Sequence, residues 1–383
     1  MASTSNEAPA VPPSLSLPPS QFARLQPHAY LLAHLSPPAA MNQPSIRANG
    51  REPLQFRTTS ANCGSLTHTN GSAVVRIGDT AAVCGVRAEL LHTDDIASWS
   101  VARTSSASTD KRQDDENEDD QDRVHIEDLS LLVPNLSLST GCAPGYLPGA
   151  PPSTMAQSIS HEILSLLHSS RLVKADDLRI WYQPPNLGPE DEQMDVDEGA
   201  GKNTEAKEER PREIKAFWVL YIDIMIISLA GNPFDAAWAS VVAALRDTKL
   251  PKAWWDVDNE TVLCSDDVSE AHKLTLRGLP VASSFCVFEA DAAAGWRAEV
   301  IPNAEQQKKD GKGRWILADP DGYEDNLAHE RASIVVDKEK NGKTVILKME
   351  KVGGWTIDTE DLRRLVDVSS KRWDEMKRIF DQC

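Results

Sequence analysis

The chain has 383 residues, enough for two domains or one large duplicated one, and its ten Trp and 40% hydrophobic residues suffice for a packed core. Its formal net charge of −18 is unevenly placed: residues 110–123 hold eight acids against three bases and residues 190–213 ten against four, so these runs carry −11 and leave −7 elsewhere. The total charge therefore says little about partners, but the folded part has neither the basic stripe nor the aromatic motif of a free-standing RNA-binding module. The six cysteines contain no C-x-x-C pair and the nine histidines no H-E-x-x-H, so no metal-ligand spacing is present. Cys84 and Cys286 lie in apolar, strand-like runs and read as buried free thiols rather than as metal or disulfide partners. The start of the chain has no basic stretch or apolar run of a signal peptide, and the longest apolar stretch, FWVLYIDIMIISLAG, is broken by Asp223. A soluble, intracellular protein without cofactor or bound metal is expected.

In chain order, the Pro/Ser/Ala-rich residues 1–21 read as disordered, and FARLQPHAYLLAHL (22–35) as one short helical segment. SAVVRI and TAAVCGV flank Gly78-Asp79, a two-residue hairpin signal with Gly where positive φ is needed. Residues 92–123 are too hydrophilic to pack, and order is expected to resume at HIEDLSLLVPNLSL. A helix is predicted over about 153–170, opened by a capping box of Thr154 and Gln157 and buried through Ala156, Ile159, Ile163, Leu166 and Leu167. LRIWY (178–182) and FWVLYIDIMIISL read as two strands of a hairpin interrupted by the insertion 186–213. Asn232 then caps a helix with Pro233 in its first turn, and Phe234, Trp238, Val241, Val242 and Leu245 form its buried face. Strands follow near 273–277, 284–288, 314–318, 332–337 and 344–349, with a polar insertion at 290–313. A helix over about 359–380 closes the chain, with the stripe Leu362, Leu365, Trp373, Met376 and Phe380. Both halves run strands, helix, strands, helix. The pattern is a duplicated α+β fold with three insertions, divided into 22–265 and 266–383.

Several motifs carry a family likeness. Arg47, Gly50, Arg51 and Arg57 form R-x-x-G-R-x-x-x-x-x-R, followed by GSAVVRIGDTAAVCGV (71–86). Further on come LVPNLSLSTGCAPGYLPG, VLYIDIMIISLAGNPFDAA and WILADP (315–320). Their order and spacing resemble RNase PH-type domains, and most of all the non-catalytic RNase PH-like ring subunits of the eukaryotic RNA exosome. The resemblance spans roughly 22–381 outside the acidic runs. It implies the RNase PH-like (ribosomal protein S5 domain 2-like) fold, with mixed sheets packed with helices.

Active members of that family phosphorolyse RNA from its 3′ end, which requires cations to hold phosphate and acids to move protons or hold a metal. They carry aspartates two positions beyond the equivalent of Asp223 and just before the Gly of the strand–helix junction. Here those places hold Met225 and Ala230, which can do neither job. The helix that carries phosphate-gripping arginines in active members has no Lys or Arg between Pro151 and Ser170. The resemblance therefore implies a subunit without catalytic residues that helps form an RNA-threading channel for rRNA maturation and RNA turnover. Its implied partners are related subunits in a hetero-hexameric ring, OB-fold cap proteins, a separately bound hydrolytic exoribonuclease and RNA, and its implied location is nucleus, nucleolus and cytoplasm. A phosphate-dependent 3′→5′ exoribonuclease and a free-standing RNA-binding protein are the competing readings. Asp223 reads as a leftover acid near metal or RNA or, preferably, as a strand residue capping backbone N–H groups or facing an interface. Arg47, Arg51 and Arg57 are candidate contacts to RNA phosphates, against the alternative of carboxylate pairs within or between subunits. Trp254 and Trp255 read as a base-stacking platform or as the closure of a core or interface.

Overall fold

The computed structural model describes residues 18–37, 44–97, 99, 126–149, 151–184, 212–290, 314–328, 330–339, 341–353 and 359–383. Of the disorder expected over 1–21, residues 1–17 lie outside the described residues, as do most of the three insertions, whereas residues 19–21 are helical because Pro19 opens a helix with its fixed φ.

Helices α1 (Pro19–Leu25) and α2 (Pro27–Leu35) replace the single helix expected there. They divide at Gln26, whose φ of −135° and ψ of 68° are non-helical, because a residue preceding proline is driven out of the α region. Strands β1 (Thr59–Cys63), β2 (Gly71–Ile77) and β3 (Thr80–His92) follow. The β2–β3 hairpin turns at Gly78 as expected, with Ile77 paired to Thr80 and φ of +58° at the glycine. Next come β4 (Leu132–Leu138), α3 (Thr154–Ser170), β5 (Arg179–Tyr182), β6 (Glu213–Ser228) and α4 (Pro233–Asp247). Then follow β7 (Lys249–Leu250), β8 (Ala253–Asp256), β9 (Thr261–Cys264), β10 (His272–Lys273), β11 (Val281–Glu289) and β12 (Arg314–Ala318). The chain ends with α5 (Gly322–Asp325), β13 (Glu330–Lys338), β14 (Thr344–Val352) and α6 (Thr359–Asp381).

One compact unit holds the described residues of 56–284, 332–351 and 355–383. Its main sheet has the order β1-β2-β3-β6-β4, with β5 also on β6 and β4 parallel to β6. The central pair is β3 and β6, registered from Ala81 with Ser228 to His92 with Ala216. Helix α4 packs on β2 and β3 and is buried on all sides from Phe234 to Leu245, not only along the expected face. Its alanines and Ser240 make this possible by letting backbone approach closely. Gly71 serves the same end, since a Cβ there would meet the Thr248 Oγ at 2.4 Å. The indole of Trp238 donates to the Pro280 carbonyl at 2.9 Å, which satisfies the one polar atom of the largest side chain in this core.

Helix α3 buries the five residues predicted, but its cap sits one position earlier: the Ser153 hydroxyl accepts from the Ala156 N–H, and the Thr154–Gln157 box does not form. Pro151 and Pro152 hold the approach extended, so Ser153 (φ −70°, ψ 150°) has the cap conformation and Thr154 is already helical. Two expectations near the insertions are corrected. Thr93 is buried with its hydroxyl on the Lys215 carbonyl, and Trp99 packs edge-on against Phe217 at 5.3 Å, so residues directly after β3 join the fold despite their polar neighbours. The strand expected over 273–277 reduces to the two-residue β10 paired with β7 and a single bridge from Leu276 to Val173. The β8–β9 hairpin was not foreseen. Cys63 and Cys383 form a disulfide with Cα atoms 5.4 Å apart, whereas Cys84 and Cys286 are buried free thiols, as read from the sequence.

The other unit holds the described residues of 1–55, 285–331 and 352–354. Its core gathers Leu31 and Leu35 of α2, Cys286 and Phe288 of β11, Leu317 of β12, and Ala328. The β11–β12 pairing runs from Phe285 with Ala318 to Glu289 with Arg314. The second sheet has the order β12-β11-β13-β14.

Candidate functional site

The strand–helix junction at the end of β6 is the place where the sequence points to chemistry. Along β6 the side chains alternate: Ile222, Ile224 and Ile226 are buried, while Asp223, Met225 and Ile227 face outward, Met225 at 49% and Ile227 at 51% exposure. After β6 the chain turns through Gly231 (φ +90°) and Asn232 (φ +46°) into Pro233. Asn232 caps α4 as predicted, its side chain accepting from the Asp235 N–H.

What holds this turn is polar and internal. Arg57 donates to the carbonyls of Ala230 (3.0 Å) and Gly231 (3.2 Å). The Thr80 hydroxyl donates to Gly231 at 2.8 Å and accepts from the Ala230 N–H at 3.1 Å. Arg57 reaches the turn by lying over Gly78, where a Cβ would stand 2.6 Å from the arginine Cδ. Asp235, 5% exposed, is an acid that sequence reasoning left without a role. Its carboxylate accepts from Asn232 Nδ2 (2.8 Å), the Ser284 N–H (3.0 Å) and the Ser284 hydroxyl (2.7 Å). These bonds tie the first turn of α4 to β11 and occupy the carboxylate structurally.

Asp223 lies opposite Asn135 of β4, whose side-chain amide donates to it at 3.3 Å. Its partner within the chain is thus a side chain and not a backbone N–H, one of the two roles expected; the other, an outward interface, agrees with its exposed position. Asn135 also lines a cleft of about 650 Å³ between β4, the segment 140–153 and α3. Among the described residues, no Lys, Arg, Asp or Glu lines this cleft; His161 is joined there by the hydroxyls of Ser137 and Ser160 and the amide of Gln157. Such a lining can donate and accept hydrogen bonds, but it has no fixed positive charge for phosphate and no carboxylate for proton transfer. Among the described residues, no group of three or more His, Cys, Asp or Glu is placed to hold a metal ion.

The three candidate arginines are engaged elsewhere. Arg47 has no exposed surface: its Nε donates to Glu324 Oε1 at 2.7 Å, its Nη2 to Glu324 Oε2, and its Nη1 to the Ala318 carbonyl at 2.6 Å. This corrects the RNA-contact reading for Arg47, because a group sealed inside the smaller unit cannot reach a phosphate. Arg51 lies beside it, donating to the carbonyls of Asp319 (3.1 Å) and Gln55 (3.2 Å) and standing 3.6 Å from Glu324. Arg57 braces the junction turn. The carboxylate alternative thus describes Arg47 and Arg51, whereas Arg57 works on carbonyls. The missed partner, Glu324, had a signal in the sequence. Asp321 and Glu324 form a D-x-x-E capping box at α5, and its glutamate turns back toward the arginines.

The segment 55–251 matches the model of the 3′ exoribonuclease family, domain 1. The chain is 29% identical over 359 residues to "Exosome complex component rrp43" of Schizosaccharomyces pombe, covering 94% of this chain and 97% of that one. It is 22% identical to "Exosome complex component Rrp42" of Methanothermobacter thermautotrophicus, over 88% of this chain and 90% of that one. Among solved structures, "archaeoglobus fulgidus exosome with RNA bound to the active site" superposes with a TM-score of 0.53 at 20% identity, covering 92% of this chain and 97% of that one. That likeness extends the common fold beyond the matched segment. The chain belongs to the 3′ exoribonuclease family and has the RNase PH fold.

Proposed function

We infer that this chain is a structural ring subunit of an RNA exosome, acting in RNA processing and degradation without catalysing phosphorolysis itself. The observation that carries the reading is end-to-end similarity to proteins named as exosome components, which leaves no large part of the chain unaccounted for. The absence of a catalytic role is supported by Met225 and Ala230 at the junction and by the uncharged lining of the neighbouring cleft. Asp223, the acid that remains on the outward face of β6, is hydrogen-bonded there by Asn135. On this reading the partners are other RNase PH-like subunits of the ring. OB-fold cap proteins, a hydrolytic exoribonuclease and RNA in the channel are further partners we propose, with work in nucleus, nucleolus and cytoplasm.

Two measurements test it. Co-expression with RNase PH-like ring subunits should give a co-purifying assembly stable in moderate salt, and failure with every such subunit refutes ring membership. Incubation of the purified chain with single-stranded RNA, phosphate and Mg²⁺ should release no nucleoside diphosphate. Release that survives stringent purification and disappears in Asp223→Asn would establish the competing enzyme reading.

A further inference from the structure

The β8–β9 hairpin is a two-stranded ribbon with one face turned inward and one outward. Trp255 and Val262 are cross-strand partners on the inner face. Val262 is buried, and the Trp255 ring lies edge-on to His92 at 6.3 Å with Lys215 Nζ 5.5 Å from its centre. Trp254 and Leu263 are the cross-strand partners on the outer face, 42% and 40% exposed. Val257 at the tip and Val268 beyond the base are exposed at 55% and 78%. Cross-strand pairing of an aromatic and a branched aliphatic side chain stabilises a ribbon, but this pair leaves its apolar surface in water.

The surroundings of that surface are acidic. Between Lys252 and Glu270 the chain carries six carboxylates (Asp256, Asp258, Glu260, Asp266, Asp267 and Glu270) and one cation, Lys252, already paired with Glu270 at 3.3 Å. Hydrogen bonds from Ser265 and then Lys252 hold Glu270 below the usual carboxylate range, and the Ser269 N–H does the same for Asp267. An exposed tryptophan can stack on a nucleic-acid base, but that requires a positive surface for the phosphates. Here the field has the opposite sign. An apolar pair flanked along the chain by acids on both strands' ends fits a partner with an apolar anchor flanked by the other charge.

We propose that the outer face of the β8–β9 hairpin is a docking site for a cationic protein segment, with an aliphatic or aromatic side chain seated on Trp254 and Leu263 and Lys or Arg facing the carboxylates. The inference does not depend on ring membership, because it uses the hairpin's own surface.

The test measures fluorescence anisotropy of a labelled peptide alternating lysine with leucine and phenylalanine, titrated with the full chain. A labelled single-stranded oligouridine is titrated in parallel. The peptide should bind with an affinity that falls as salt rises. The outer-face variant Trp254→Ser with Leu263→Ser should weaken it at least tenfold. The rim variant Asp258→Asn, Glu260→Gln and Asp266→Asn alters only exposed side chains, so it tests the flanking charge even if the outer-face variant is unstable. It should also weaken binding about tenfold and flatten the salt dependence. Peptide affinity unchanged in the rim variant, or in a folded outer-face variant, would place the binding elsewhere on this acidic chain and overturn the proposal. Oligouridine binding that depends on Trp254 would overturn it in favour of a nucleic-acid platform.

Discussion

Arg47 offers the sharpest test of the arginine assignment. It makes five hydrogen bonds: two to Glu324 and one each to the carbonyls of Gln55, Ala318 and Asp319. Glu324 is 1% exposed, so Arg47→Ala takes the paired guanidinium from a buried carboxylate and the donor from the Ala318 carbonyl, while the Gln55 and Asp319 carbonyls keep Arg51. Breaking a buried ion pair from one side costs about 3–5 kcal/mol. Arg51, 3.6 Å from the same carboxylate, offsets part of this, so we expect a loss near the lower limit, about 3 kcal/mol. At about 2.1 cal/mol/K of unfolding entropy per residue, that corresponds to a fall of about 4 °C in melting temperature for a chain of this length. Removing both charges together, in Arg47→Met with Glu324→Leu, should cost less than Arg47→Ala because no carboxylate is stranded. Urea unfolding gives the magnitude, and hydrogen exchange at residues 314–318 and 286–289 shows where it falls. If Arg47→Ala stayed within about 0.5 kcal/mol of the parent, as an ordinary surface change does, and lost RNA binding instead, the structural account of this arginine would fail.

Three further outcomes are expected. Replacing residues 100–122 and 190–210 with short Gly/Ser linkers should leave the melting temperature within a few degrees, since these runs have too little apolar surface to offset about 1–2 kcal/mol of backbone ordering per residue; a larger fall in differential scanning fluorimetry would show that one of them packs. Gly278→Ala should destabilise by about 1–3 kcal/mol, because its Cβ would lie 1.9 Å from Asp337 Oδ2 and that carboxylate is held by the Leu279 and Lys338 N–H groups; a neutral result in urea unfolding would show that the loop yields easily. Cys383→Ser should lower stability by up to about 5 kcal/mol under oxidising conditions and by nothing in excess thiol, given the 320-residue separation of Cys63 and Cys383; equal melting of parent and variant without reductant would rule the disulfide out as a stabilising element.

Elements with a strong local signal were legible in the sequence. The Gly78 hairpin, the buried stripe of α3 and the Asn232-Pro233 start of α4 each depend on residues close together in the chain, and each appears where expected. What the sequence hid depends on partners far away. Helix α4 is buried all round because sheet and chain cover its alanine face, and no local period reports that. The Arg47–Glu324 pair spans 277 residues, so the R-x-x-G-R pattern favoured a carboxylate partner over phosphate but could not say which carboxylate. Hairpin β8–β9 was masked by an acidic turn, because Asp256, Asp258 and Glu260 look like loop while Trp255 and Val262 pair across it.

At the junction, the residues that hold the fold are not the ones that could act on a substrate. In a strand, successive side chains serve opposite faces. Ile222, Ile224 and Ile226 are fixed by the core, whereas positions 223, 225 and 227 face outward and contribute little to packing. A carboxylate or a methionine at 225 is therefore nearly equivalent for folding, although only the carboxylate could act on a substrate. The turn itself is held by Arg57, Thr80, Asn232 and Asp235, through bonds to backbone and to one another that involve neither Met225 nor the Ala230 side chain. Stability and catalysis thus rest on different atoms at this place. On the ring-subunit reading, loss of the acids costs the fold almost nothing, so Met225→Asp should change stability by no more than about 0.5 kcal/mol. It should also leave phosphorolysis absent, because the neighbouring cleft presents no cation to hold phosphate. Nucleoside diphosphate release by Met225→Asp would show that the acid alone was missing and that the charge of the cleft had been misjudged.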